Sequence, residues 1–267
     1  MKLGIGIPCL DNVNHSFFLW TSHLIGKWAR KRELALLYPN RMAIDRAREY
    51  CAKSAQQQGC DYLLFIDDDT LVPEQTPEVL IDVLLRAENI ISATGVCYQR
   101  SWPYLPMIYK FPKDKDKVDS GYDPRSNQLI PPFPDKPFRI DCNGLGIAML
   151  KVSLLEGIKK PWFGRSDKYG TEDFYFYDKA AEAGLEAWCD PSLGATHLGD
   201  RVEVTPQNVE GLRMKAFSLY EGNSSEPQRT IHSSGDSVLQ RNSNGRSDCG
   251  VGDGSVQHSN VREPVPV

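Results

Sequence analysis

The chain has 267 residues, 40% of them hydrophobic and 25% charged, which is enough apolar material for one substantial core. Its formal net charge of −4 gives no electrostatic reason to expect a nucleic-acid partner. No run approaches the roughly 20 apolar residues that span a bilayer, and the first residues lack a signal-peptide layout, so we expect a cytoplasmic protein, or one of the host cytoplasm if it is viral. The seven cysteines form no C-x-x-C pair, which argues against a disulfide scaffold or structural zinc site.

Strand and helix patterns alternate along the first hundred residues. Apolar runs at Lys2–Ile7, Asp61–Ile66 and Ile90–Val96 predict buried strands. Helical spacing extends from Asn40 to about Gln57, and Thr76-Pro77 is a typical helix start. This alternation predicts an α/β fold with a mostly parallel central sheet covered by helices, in which ligands bind beyond the carboxyl ends of the strands.

The composition changes after residue 98. The stretch from Gln99 to Phe138 carries eight of the 18 prolines, which indicates a functional or mobile loop. The elements predicted after it are a strand at Arg139–Cys142, a helix from near Thr171 to Gly184, a short strand at Glu186–Cys189 and a helix opening at Thr205-Pro206.

The last 47 residues differ from the rest of the chain. Residues 221–267 contain no Phe, Trp or Tyr and are rich in Ser, Gly, Asn and Arg. Such a segment cannot bury enough apolar surface to offset its ordering entropy. We therefore predict one folded domain over residues 1–220 and a disordered polar tail over residues 221–267.

Three consecutive carboxylates, Asp67 to Asp69, directly follow the apolar run LLFI. Their mutual repulsion favours a bound cation, and carboxylate oxygens are ligands that Mn²⁺ and Mg²⁺ prefer. Because side chains alternate along a strand, we expect Asp67 and Asp69 to point one way and Asp68 the other. The alternative is a solvated acidic turn before a helix whose N-terminus welcomes anions.

Two further features carry candidate chemistry. Glu172 and Asp173 open a predicted helix among aromatic residues, so a partly buried carboxylate with a raised pKa is expected there, suited to act as a general base. The alternative is that both acids merely complement the helix dipole. His197 follows the last predicted strand and would complete an Asp/His metal shell, or it is a polar turn residue.

In chain order, a P-x-x-D sequence near the N-terminus, LFIDDD, Asn-Gly-x-Gly, GTEDFYF and THLG resemble the GT-A glycosyltransferases. The resemblance is to compact family-2-like members from viruses and bacteria, and it covers about residues 2 to 200. It implies a Rossmann-like GT-A fold and transfer of a sugar from a nucleoside-diphosphate donor to a hydroxyl of a glycan or other acceptor, with Mn²⁺ or Mg²⁺ as cofactor. A single base opposite the leaving group favours inversion at the anomeric carbon.

The resemblance also implies roles for individual residues. It assigns the donor to Pro8, Asp11, Arg48 and Asp67, the metal to Asp67, Asp69 and His197, proton abstraction to Asp173, and the acceptor to Asn143 and Gly144. From the residues themselves, Asp68 is a further donor candidate, and Glu172 and Trp162 are further acceptor candidates. For Trp162, core packing is the default interpretation and stacking on a sugar is the alternative; a tight turn is the alternative for the Asn-Gly-x-Gly segment.

Two other functions remain open. One is a nucleotide-sugar-binding protein with an inactive site. The other is a phosphohydrolase of the haloacid-dehalogenase type, whose Asp-x-Asp-x-Thr motif is expected near the first strand. Here Thr70 follows Asp69 directly, and the motif begins at residue 67.

Overall fold

The computed structural model describes residues 1–10, 13–101, 103–110, 128–165, 170–199 and 203–214. Its α-helices are α1 (His15–Trp28), α2 (Ile44–Gln57), α3 (Thr76–Leu84) and α4 (Glu172–Glu182), with a 3-10 helix at Val152–Gly157 and a further helical stretch at 209–214. Its strands are β1 (Lys2–Gly6), β2 (Glu33–Leu37), β3 (Tyr62–Ile66), β4 (Thr70–Leu71), β5 (Ile90–Val96), β6 (Ile108–Tyr109), β7 (Phe138–Ile140), β8 (Cys142–Asn143), β9 (Ile147–Lys151), β10 (Glu186–Gly194), β11 (Thr196–Leu198) and β12 (Glu203–Val204).

The central sheet has seven strands in the order β2-β1-β3-β9-β5-β10-β7. β1 is parallel to β2 and β3, and β5 is parallel to β10. β9 lies antiparallel between β3 and β5, and β7 is antiparallel to β10. The α/β class is therefore confirmed, and the sheet is mixed: β1, β2, β3, β5 and β10 run in one direction, and β9 and β7 run in the other. The sheet is mixed because the segment after the Asn-Gly-x-Gly turn returns as a strand between two parallel neighbours.

Helices cover both faces of this sheet. Side chains of β3 alternate between two apolar clusters, with Leu63 and Phe65 in one and Leu64 and Ile66 in the other. The first cluster contains apolar residues of α2 and α4, and the second contains those of α1 and α3. Burial on both faces explains why β3 is a continuous apolar run rather than an alternating one.

Local chemistry sets the helix bounds. The start of α1 was not predicted from the sequence. Asn14 caps this helix, because its side-chain oxygen accepts hydrogen bonds from the backbone N–H groups of Ser16 and Phe17. α2 begins at Ile44 rather than Asn40, because Asn40 bridges to Cys9 and Arg41 has a left-handed φ of 56°. α4 begins at Glu172, as expected, and the chain leaves it through Gly184 at φ 74°.

A second sheet has three strands in the order β12-β11-β4. Its strand β4 begins at Thr70, just beyond the carboxyl end of β3. It pairs His197 of β11 with Thr70 of β4, directly after the acidic triplet. None of the helices in the described ranges combines the length and apolar character that crossing a bilayer requires. Asp11 and the predicted tail lie outside the described residues.

Candidate active site

The acidic triplet lies in a turn at the carboxyl end of β3. The strand ends at Ile66, and the Thr70 N–H donates to the Asp67 carbonyl oxygen at 3.0 Å. Strand alternation therefore does not orient the three carboxylates, contrary to the prediction. The side-chain partners are Arg48 for Asp67, Cys9 for Asp68, and His197 and Arg100 for Asp69.

Arg48 is a buried cation that joins this turn to α4. Its Nη2 lies 2.8 Å from Asp67 Oδ1, its Nε lies 3.0 Å from Glu172 Oε1, and its Nη1 lies 3.4 Å from the Leu145 carbonyl oxygen. Only 3% of its side chain is exposed. The forked guanidinium suits this position because it donates in several directions at once. Protein groups thus engage all three nitrogens, and direct contact between Arg48 and a donor stays a prediction.

Gly146 leaves room for the Asp67 carboxylate. A Cβ atom at Gly146 would lie 3.0 Å from Asp67 Oδ2, closer than side chains normally approach. The Gly146 carbonyl also accepts the Asp67 N–H at 3.2 Å. Gly146, the second glycine of the Asn-Gly-x-Gly segment, therefore helps to position Asp67, the first acid of the triplet.

Asp69 and His197 form the second polar contact of the rim. His197 Nε2 lies 3.2 Å from Asp69 Oδ2, and His197 Nδ1 lies 2.7 Å from the Tyr98 carbonyl oxygen. Since a carbonyl only accepts, Nδ1 carries a proton and Nε2 is the nitrogen directed at Asp69. Burial opposes protonation of the ring, but hydrogen bonds to Asp69 and Cys97 outweigh it and raise the pKa of His197 to about 11. A cation bound at Nε2 would replace the proton that this nitrogen otherwise directs at Asp69.

This pair fits a divalent cation in part. An Nδ1–H group fixed by a backbone carbonyl is the usual arrangement for a histidine that binds metal through Nε2. The third predicted ligand, Asp67, is instead turned toward Arg48. Over the part of the chain that the structure describes, no group of three or more His, Cys, Asp or Glu side chains is arranged to hold a metal ion. Mg²⁺ is often bound by one or two carboxylates, with phosphate oxygens and water completing its shell.

Arg100 is a rim residue that sequence reasoning missed. It follows β5, and its Nη1 lies 3.0 Å from Asp69 Oδ2 while 59% of its side chain is exposed. An exposed guanidinium beside the predicted metal ligands is a candidate phosphate ligand. The only sequence signal was a single arginine at the start of the proline-rich stretch, which no local pattern singles out.

The two acids that open α4 have different surroundings. Glu172 is buried and pairs with Arg48. Burial, and then repulsion from Glu172, raise the pKa of Asp173 above its ordinary value, against a hydrogen bond from the Thr171 side chain. The raised pKa matches the expectation for a carboxylate among aromatic residues; the role of Asp173 as a base stays a prediction.

The residues predicted for the acceptor lie mostly below the surface. Asn143 is 1% exposed; its Oδ1 accepts from the Tyr177 hydroxyl at 2.6 Å, and its Nδ2 donates to Thr94 Oγ1 at 3.2 Å. Gly144 packs beside Met107. Trp162 is fully buried, and its Nε1 donates to the Ile158 carbonyl oxygen. The structure thus places Trp162 in the core, its default interpretation, and leaves no ring surface on which a sugar could stack.

The donor side is described in part. Pro8 is buried two residues after the end of β1 and precedes Cys9, whose thiol hydrogen-bonds to Asp68. Burial raises the pKa of the Asp68 carboxyl, and the bond from Cys9 opposes that shift. The carboxyl ends of β1 and β3 therefore meet at one rim, as predicted for a ligand edge.

Comparisons with known proteins support the fold. No family model and no curated protein matches the chain. Among solved structures, A197 from STIV aligns with a TM-score of 0.54 at 20% identity, over 77% of this chain and 90% of that one. A glycosyltransferase involved in the glycosylation of the major capsid of PBCV-1 aligns with a TM-score of 0.31 at 13% identity, over 61% of this chain and 69% of that one, a likeness too low to carry an argument. The chain therefore shares its fold with A197.

Proposed function

We propose that the chain is a metal-dependent glycosyltransferase that transfers a sugar from a nucleoside-diphosphate donor to an acceptor hydroxyl, with inversion. The observation that carries the proposal is the grouping on one rim of an Asp–His pair, a second acid held by a buried arginine, and an exposed arginine. These groups are Asp69 with His197, Asp67 with Arg48, and Arg100. A nucleoside diphosphate with its metal ion requires ligands for the cation and for the phosphates. Carboxylate and imidazole groups bind the cation, and guanidinium groups bind the phosphates.

In this proposal the donor diphosphate lies over Asp69 and His197, which would hold Mn²⁺ or Mg²⁺. A bound cation neutralises the negative charge that develops on the leaving diphosphate. The Arg100 guanidinium lies 3.0 Å from the Asp69 carboxylate and would leave it to bind a phosphate oxygen of the donor. Asp67 keeps its orientation through Arg48 and would receive the ribose or the cation.

Asp173 would take the proton from the acceptor hydroxyl. A useful base has a pKa near the working pH, and the pKa of Asp173 is raised by burial and by Glu172. Glu172 serves differently, because its ion pair with Arg48 ties the start of α4 to the acidic turn. Asp173 is thus left for proton transfer, while Glu172 holds the start of α4, and with it Asp173, in position.

A screen of nucleotide sugars by thermal shift, with and without Mn²⁺, tests the proposal. A donor that binds the native state at 100 times its dissociation constant adds about 2.7 kcal/mol of apparent stability. We expect one nucleotide sugar to raise the melting temperature only when Mn²⁺ is present. No metal-dependent shift with any donor would contradict the proposal. A binding protein would show the shift without releasing the nucleoside diphosphate, and a phosphohydrolase would release inorganic phosphate.

A further inference from the structure

Two adjoining cavities open beside the small sheet. The larger has a volume of about 460 Å³ and the smaller about 330 Å³. They share Phe133, Pro191 and Ser192 as lining residues, so together they form one groove. Their sizes lie in the range of small-molecule sites, which is roughly 300–1,000 Å³.

The described lining of the larger cavity is polar without being charged. No Asp, Glu, Lys or Arg is among the described residues that line it. The side-chain amides of Gln75 and Gln207 have no hydrogen-bond partner within the described ranges. Amides both donate and accept hydrogen bonds and so can bind hydroxyls, and the described lining holds no charged side chain to pair with a phosphate or a carboxylate.

Aromatic and proline side chains form the remaining wall. Phe133 is partly buried and stacks on Phe138, with ring centroids 5.9 Å apart. Pro73, Pro191 and Pro206 line the larger cavity as well. Rigid apolar surfaces beside amides suit a ligand with C–H faces and hydroxyl edges. The smaller cavity adds Asp135, whose carboxylate accepts hydrogen bonds from hydroxyls.

The groove also adjoins the proposed metal pair. Tyr98 lines the larger cavity, and its carbonyl oxygen binds His197 Nδ1 at 2.7 Å. Thr196, the residue before His197 on β11, lines the same cavity. A ligand in the groove would therefore contact Tyr98, whose carbonyl orients His197, and Thr196, which precedes His197 in the chain.

We propose that this groove binds an uncharged oligosaccharide. Oligosaccharide binding follows from the groove alone; that the bound chain is the acceptor rests on the proposed glycosyltransferase function. Two adjoining cavities suit several linked sugar units better than a single one, because they continue past Phe133 toward Asp135.

Saturation-transfer NMR tests the proposal on the full chain, without donor or metal. The probes are neutral trisaccharides of glucose, mannose, galactose and N-acetylglucosamine, with a hexuronic-acid trisaccharide for comparison. We expect saturation transfer to at least one neutral probe and none to the charged one. In titrations, Phe133→Ala and Gln207→Ala should each weaken binding about tenfold, the effect of losing one good contact.

Matched variants separate the groove from general effects. Phe18 and Gln57 are exposed residues away from both cavities, so Phe18→Ala and Gln57→Ala should bind the probe as the wild type does. Asp69→Asn should abolish transfer and keep probe binding, so the two proposals can fail separately. Absence of binding to every neutral probe would overturn the oligosaccharide groove. Equal binding by wild type, Phe133→Ala and Gln207→Ala would do the same, once circular dichroism shows that the variants are folded.

Discussion

Replacing Arg48 with methionine removes the cation shared by two carboxylates while keeping an unbranched apolar side chain. Arg48 is 3% exposed, and the Glu172 carboxylate it binds is 10% exposed, so water cannot replace the lost contact. Breaking a buried ion pair by removing one partner costs about 3–5 kcal/mol. Glu172 carries most of that cost, because the side chain of Asp67, at 31% exposure, is partly hydrated.

Urea and thermal unfolding followed by circular dichroism measure this effect. A loss of that size lowers the melting temperature by roughly 6–20 °C in a domain of 150–250 residues. Arg46→Met is the matched control, since Arg46 is an exposed arginine on the same helix, and its change should stay within about 0.5 kcal/mol. In the double variant Arg48→Met/Glu172→Met, part of the stability should return, because no buried charge is left unpaired on α4. Equal stability of Arg48→Met and Arg46→Met would refute the role of Arg48 as the buried link.

Three further variants test other parts of the chain. Asp173→Asn should lower turnover about 10²–10⁴-fold at unchanged donor affinity, and near-normal turnover would move the base elsewhere. Because burial and a neighbouring carboxylate raise the pKa of Asp173, its ionisation destabilises the fold as pH rises from the ordinary value through the raised one. Asp173→Asn should therefore melt higher than wild type at neutral pH, with the gap closing in acid. Gly146→Ala should cost about 1–3 kcal/mol in urea unfolding because its Cβ meets Asp67, whereas Gly157→Ala, with open space around its Cβ, should not. Truncation after Tyr220 should leave donor hydrolysis and melting temperature unchanged; a large drop in the latter would show that the removed residues pack on the domain.

The strands β1, β3 and β5 and the starts of α3 and α4 could be predicted from local sequence, whereas β2 and the start of α1 were not predicted. The run LLFI predicts β3 because a strand covered on both faces is apolar throughout, and this places the acidic triplet at a rim. Strand order could not be predicted, because the apolar segment of β9 reads the same whether it lies parallel or antiparallel to β3.

The internal arrangement of the site depended on contacts that are distant in sequence. The direction of each triplet carboxylate follows from the turn after Ile66 and from partners elsewhere, not from alternation. Arg48 meets Glu172 across 124 positions, and Arg100 reaches Asp69 from a loop without local pattern. The convergence of Asp69 and His197 was predictable in outline, since both follow strands that end at one rim.

The most direct test of the proposed activity is the release of nucleoside diphosphate from a panel of nucleotide sugars. Wild type, Asp69→Asn and Asp82→Asn are compared with and without Mn²⁺; Asp82 is an exposed acid on α3 and serves as the matched control. We expect Mn²⁺-dependent release from one donor by wild type and Asp82→Asn, and loss of that release in Asp69→Asn. Release that persists in Asp69→Asn, or that never depends on a divalent cation, would contradict the assignment of this rim as a metal-dependent glycosyltransferase site.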